Sequence, residues 1–267
     1  MTAAPATDEL LVERTDHVLT ITLNRPDRLN AISGPMLNAL SRTLQDANID
    51  RDVRVVVLTG AGRGFCAGLD LKDQMSGDQT VGGGRGYNLF DLHNSPPIVI
   101  NRMDKPMICA LNGAAAGYGM DMALGCDIRI ASEHAKMGAV FAKRGVLPES
   151  GGCWYLPRLL GWARAAEVAF LGDVLDAHRS LELGLVNRVV PHDQLMAETM
   201  KVANQIAKNA PLSVQSTKRM MRLGMEESFE AAVDHIYLQL LPLFGSQDFK
   251  EGLSAFAERR EANFQGR

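Results

Sequence analysis

The chain has no uninterrupted apolar run of about 18 residues, the length a helix needs to cross a bilayer, which argues against a membrane-spanning helix. Charge of one sign is also missing: 28 Lys and Arg face 31 Asp and Glu, so neither a nucleic-acid surface nor a basic membrane face is expected. The four cysteines, Cys66, Cys109, Cys126 and Cys153, are far apart, form no CxxC pair and sit mostly in apolar surroundings. That usage fits reduced, buried thiols better than disulfides or zinc. The six histidines include no HxxxH pair, and no metal site is expected. The N-terminal stretch MTAAPATDELLVERT lacks the apolar centre of a secretory signal, so a cytoplasmic location is expected.

What is present is an ordinary globular composition, 46% hydrophobic and 22% charged, over 267 residues. Alternation in LTITLN (19–24) predicts a strand. Met36, Leu37, Leu40 and Leu44 recur at helical spacing over 33–48, with Ser33 as cap and Pro35 in the first turn. VRVVVLTG (53–60), PMICALNG (106–113), DIRIAS (127–132) and LVNRVV (185–190) read as further strands. The segment 76–86, with five glycines, reads as a surface loop. Helices are expected near 192–208, 211–224, 226–244 and 247–262. Strands alternating with helices, then a run of helices, give an α/β class. We expect a core over 1–195 and a helical C-terminal region over 196–267.

Two glycine turns follow two buried strands. In VVVLTGAGRGFCAGLDLK (55–72), Gly62-x-Gly64-x-x-Ala67 formally matches a dinucleotide fingerprint, but a glycine-rich loop stands where the rest of a βαβ unit should be. Ala67-Gly68-Leu69-Asp70 reads better as a sharp turn, with Asp70 placed to cap a following short helix. NGAAAGYGMD (112–121) repeats the logic of strand, small residues and helix start. Side by side, two such turns can aim two backbone N–H groups at one carbonyl oxygen, an oxyanion hole. They can equally be two tight turns in which glycine serves geometry alone.

These residues resemble the crotonase, or enoyl-CoA hydratase/isomerase, superfamily. The resemblance runs from NRPDRLNAI (24–32) through GFCAGLDLK, KPMICALNGAAAGYGMDMALGCDIRIAS (105–132) and LGLVNRVV to EGLSAFAERREANF (251–264). It implies a crotonase-type spiral of ββα units with a C-terminal helical region that packs as a homotrimer or a dimer of trimers. It also implies an acyl-CoA substrate, with CoA carried in the thioester and no separate cofactor. The oxyanion donors would be the N–H groups of Leu69 and Tyr118. The turn of Ala67, Gly68 and Asp70 would hold the adenosine end of CoA, with Lys72, Arg25, Phe256 and Arg259 as further CoA contacts.

Hydratases of this family use two glutamates that share one water. The first position is Asp121 here, and the second is Phe141, which cannot move a proton. Glu149, in GAVFAKRGVLPESGG (138–152), coincides with the acid of certain enoyl-CoA and dienoyl-CoA isomerases. A helix-start location would also explain Asp121 or Glu149 as a cap or dipole partner. Phe141, Met120 and Trp154 are expected to wall the acyl pocket. The leading expectation is an enoyl-CoA hydratase using Asp121 and Glu149. An isomerase with Glu149 as sole base and a non-catalytic acyl-CoA binder are the alternatives.

Overall fold

A computed structural model describes residues 7–70 and 95–267. The glycine-rich segment 76–86, Lys72 and whatever Asp70 might cap lie outside the described residues. The chain opens with β1 (Leu10–Thr15), β2 (Val18–Leu23), α1 (Gly34–Ile49), β3 (Val55–Gly60) and β4 (Gly64–Cys66). After the gap come α2 (Pro96–Arg102), β5 (Met107–Leu111), β6 (Ala114–Ala116), α3 (Tyr118–Gly125), β7 (Ile128–Ser132) and β8 (Lys136–Gly138). Then follow α4 (Gly152–Leu160), α5 (Trp162–Leu171), β9 (Val174–Asp176), α6 (Ala177–Leu183) and β10 (Arg188–Val190). The chain finishes with α7 (Leu195–Ala207), α8 (Pro211–Gly224), α9 (Phe229–Phe244) and α10 (Gln247–Glu258).

From β3 to β8, strands are dealt alternately to two sheets. The larger has the order β1-β2-β3-β5-β7-β10 and the smaller β4-β6-β8-β9. The turn 3→4, 5→6, 7→8 thus repeats: one strand to each sheet, then helical chain back. This is the spiral of ββα units expected from the sequence. β3 is buried at every residue and pairs in parallel with β2 and β5, which explains its unbroken apolar run. Ser33 caps α1 by accepting the Met36 amide at 3.1 Å, and Met36, Leu37, Leu40 and Leu44 face the core.

Two asparagines fix the β3–β4 turn. Asn30, held at φ 55°, donates from Nδ2 to the carbonyls of Ala61 at 2.9 Å and Gly64 at 2.8 Å. Asn112 donates to Gly62 at 2.9 Å and to the same Gly64 carbonyl at 3.1 Å. Asn112 also accepts the Gly60 amide at 3.1 Å. A side chain at Gly60 has no room, because a Cβ there would lie 2.4 Å from the Gly64 carbonyl oxygen.

The C-terminal helices attach in different ways. α7 covers the outer face of the large sheet, where Leu195, Ala203 and Ala207 pack with Val55, Val57, Ile108 and Ala110. A boundary at 195/196 would cut this helix from the sheet it covers. α8 buries only Pro211 and is fastened by charge instead: Lys218 pairs with Asp127 at 2.6 Å, and Arg219 and Arg222 both pair with Asp104. α9 has no buried residue in its 16, and Phe229, Tyr237, Leu238 and Leu241 are all exposed. No helix of the described residues is long and apolar enough to cross a membrane. Cys66, Cys109 and Cys126 are buried free thiols, whereas Cys153 is exposed, contrary to the expectation of burial, because it lies on the outward side of α4.

Candidate active site

The turns after β4 and β6 come together at the wall of a cavity of about 590 Å³. A Cβ added to Gly68 would stand 3.1 Å from the Ala116 carbonyl oxygen and 3.9 Å from the Tyr118 nitrogen. Gly68 has φ +104° and Gly117 φ +53°, backbone conformations that favour glycine. Gly119 packs onto β4 so closely that its Cβ would meet the Cys66 carbonyl at 2.2 Å. These contacts put glycine at three successive points of the approach.

Leu69 is bridged to Ile32: the Ile32 amide donates to Gly68 at 2.8 Å and the Asp70 amide to Ile32 at 3.0 Å. Those two bonds point the Leu69 N–H to the opposite side. Tyr118 is the first residue of α3, so its amide points out of the positive end of that helix. Both residues line the cavity.

The acids diverge. Glu149 lines the cavity together with Ser150 and Gly151, and partial burial in the wall raises its pKa above the ordinary glutamate value. Asp121 does not line the cavity. It is 1% exposed, and its Oδ2 accepts the Ser150 hydroxyl at 3.1 Å and the Gly152 amide at 3.0 Å. The sequence expectation that Asp121 could be a cap is met at a distance: it caps α4, not its own helix. Its Oδ1 is buried without a hydrogen-bond partner among the described residues. Burial pushes its pKa up to about 7, the nearby Glu149 charge adds to this, and the Gly152 and Ser150 donors oppose it.

Three pocket and CoA expectations need correction. Met120 is fully buried and turned into the core, since it sits two residues on from Tyr118 and so on another face of α3. Phe141 is also buried off the cavity, with its ring edge 3.8 Å from where a Gly117 Cβ would stand; it backs the turn from behind. Arg25 is not free to meet a phosphate. It pairs with Glu9 at 3.1 Å and with the buried Asp70 at 3.1 Å, and donates to the Ala31 carbonyl at 2.8 Å. Asp70 thereby braces the turn.

The other sites fall as follows. Trp154 lines the cavity, with the Arg158 guanidinium 4.0 Å from its ring centroid. Ala67 is exposed at the turn, and its amide donates to Leu29 at 3.0 Å. Phe256, 86% exposed on α10, and Arg259, which follows the last turn of that helix, do not line this cavity. Sequence reasoning missed Leu37, Ser95, Pro97, Ile98, Asn101, Tyr155 and Glu226, which also line it. No group of three or more metal-ligating side chains occurs among the described residues.

The whole chain has relatives of known chemistry. The sequence profile described as Enoyl-CoA hydratase/isomerase matches residues 13–267. The chain is 36% identical to the 1,2-epoxyphenylacetyl-CoA isomerase of Escherichia coli K12, over 94% of this chain and 95% of that one. It is 32% identical to the 2,3-dehydroadipyl-CoA hydratase of the same organism, over 97% and 99%. The crystal structure of an enoyl-CoA hydratase from Bacillus anthracis superimposes with a TM-score of 0.88 at 32% identity, over 97% and 100% of the two chains. The two-sheet spiral, the paired glycine turns and these matches together place the chain in the enoyl-CoA hydratase/isomerase family, within the crotonase superfamily.

Proposed function

We propose that this enzyme shifts the double bond of an enoyl-CoA thioester, from C3 to C2, with Glu149 as its single proton carrier. The observation that carries the reading is the separation of the two acids: Glu149 lines the cavity, while Asp121 is sealed behind Ser150 and Gly152. In this mechanism the thioester oxygen sits between the Leu69 and Tyr118 N–H groups. The Glu149 carboxylate takes a proton from C2, and the electron pair moves into a dienolate whose oxygen charge the two donors stabilise. The same proton is then returned to C4. No atom is added or lost, and one base suffices.

Hydration of a 2-enoyl-CoA is the second reading. It is favoured by the nearness of the acids, each of which bears on the same Ser150 turn, and by the pKa of about 7 at Asp121. It needs Asp121 to reach the water that Glu149 holds. The two readings part in one assay. Incubation with 3-hexenoyl-CoA, followed by mass and absorbance, gives an isobaric conjugated product in the first case. Gain of water by 2-hexenoyl-CoA without isomerisation of the 3-enoyl compound sinks it.

The C-terminal helices belong to the same proposal. The uncovered apolar side chains of α9, with Phe256 on α10, support assembly as a trimer or dimer of trimers. Phe256 and Arg259 would then meet CoA bound to a neighbouring copy. Light scattering that returns a monomer at micromolar concentration removes this part.

A further inference from the structure

The described wall of the cavity holds two carboxylates, Glu149 and Glu226, and no lysine, arginine or histidine. Glu226 follows α8, whose C-terminal end is pinned over α2. Arg222, one turn earlier, donates to the Asn101 carbonyl at 2.5 Å and to that of Met103 at 3.3 Å. Asn101 itself lines the cavity, and its amide donates to the Tyr155 hydroxyl at 3.4 Å. Glu226 therefore belongs with Asn101 and Tyr155, on the α2–α4 side. The Leu69 and Tyr118 turns, after β4 and β6, contribute a further part of the wall.

The cations of α8, the helix before Glu226, are already engaged. Arg222 is held by Asp104 at 3.2 Å as well as by the two carbonyls, and Arg219 pairs with the same Asp104. Lys218 is committed to Asp127. Arg158 stacks on Trp154 and donates to its carbonyl at 3.3 Å. Glu226 makes no ion pair among the described residues.

Resting on the acyl-CoA reading above, we propose that this side of the cavity is a charge filter. It admits uncharged acyl groups and rejects those bearing a second, distal carboxylate, with Glu226 as the specificity-determining residue. An acyl chain that runs from the Leu69–Tyr118 turns carries its far end toward Asn101, Tyr155 and Glu226. An uncharged end meets a wall of Pro97, Ile98 and Trp154 softened by neutral hydrogen-bonding groups. A carboxylate there finds no cation among the described lining residues and faces the like charge of Glu226, which stands exposed at the cavity wall, so the repulsion is open to screening by salt. Discrimination by repulsion is a recurrent device for specificity.

The test compares saturated hexanoyl-CoA with the mono-CoA thioester of adipic acid. These differ at the chain end by a carboxylate in place of a methyl group, and neither requires turnover. Calorimetric titration of the full chain should give hexanoyl-CoA roughly tenfold or more tighter binding at low salt, narrowing as salt screens the repulsion. Glu226→Gln should shrink the ratio of the two affinities to within about threefold, with the thermal unfolding midpoint confirming that the variant is folded. Glu226→Lys should invert the preference. Equal affinities in the wild type, or a ratio that Glu226→Gln leaves intact, overturns the filter while leaving the acyl-CoA reading standing. Failure of both thioesters to bind overturns that reading and the filter with it.

Discussion

The Asp121 Oδ2 atom accepts the Gly152 amide at 3.0 Å, so this carboxylate closes the start of the helix that follows the Glu149 turn. The contact leaves no space: a Cβ on Gly152 would fall 2.2 Å from Asp121 Oδ1 and 2.7 Å from Pro148 Cβ. Gly152→Ala should therefore force the Asp121–Ser150 turn apart. We expect a loss of about 1–3 kcal/mol in urea unfolding together with reduced turnover. An alanine variant as stable and as active as the wild type contradicts the packing.

Replacing the acids should have unequal effects. Glu149→Gln should lower kcat by about 10²–10⁴-fold, the range for a general base, without changing the unfolding midpoint, since Glu149 is exposed at the cavity wall. Asp121→Asn keeps an acceptor for the Ser150 and Gly152 donors and should cost less than about tenfold in kcat, far below the range for loss of a general base. Comparable losses from both substitutions would point to shared acid–base chemistry and to hydration.

Stability should depend on pH through Asp121. Its folded pKa of about 7 lies above the ordinary 3.8, so the folded state keeps a proton that the unfolded state releases. The stabilisation is fully present below pH 3.8 and is lost as pH rises through about 7, on the order of 4 kcal/mol in all. Urea unfolding at pH 5 and pH 8 checks this in wild type and Asp121→Asn. The variant should lack this drop.

Activity has its own pH limb. Burial raises the pKa of Glu149, so the carboxylate form needed as base accumulates later than for a free glutamate. The acidic limb of kcat/KM should be displaced upward from the ordinary glutamate value and should vanish with the residual rate of Glu149→Gln. A limb at or below pH 4.5 speaks against Glu149 as the base.

Arg25 separates bracing from ligand binding. Arg25→Met removes the guanidinium from Asp70, whose side chain is only 5% exposed. Loss of one partner of a buried pair costs about 3–5 kcal/mol at the upper end, and here we expect a clear fall in the unfolding midpoint. Unchanged stability with a selective loss of CoA affinity would restore the phosphate-contact role.

Long periodic elements were legible in the sequence. The helix of 33–48 appears as Gly34–Ile49, with Ser33 as its cap, and 211–224 appears at its expected bounds. The three-residue strands β4, β6, β8 and β9 escaped because three residues carry no measurable period. Helices α4 to α6 escaped as well, since α4 starts at a glycine pair and contains Pro157. In the site, glycine-rich turns marked Leu69 and Tyr118, and Glu149 stood out as the lone acid of its stretch. Asn101, Tyr155 and Glu226 had no local mark, because only tertiary packing of α2, α4 and α8 brings them together. Arg25 misled for the same reason: its partner Asp70 is 45 residues away in sequence, and charge alone does not reveal a pairing.

Asn30 and Asn112 converge on the single carbonyl of Gly64, and through it they set where β4 begins, the short strand that leads into the Gly68 turn. The scaffold that would polarise a thioester is therefore anchored to the sheets by side chains that take no part in proton transfer. The Glu149 turn and the start of α4 are anchored through Asp121 to α3. The acid-bearing turn thus hangs from the helix that presents one of the two donors, and its Glu149 side chain, which holds neither mooring, can be exchanged to move a different proton while the backbone donors stay in register. One architecture can then support neighbouring chemistries through changes confined to a single short segment.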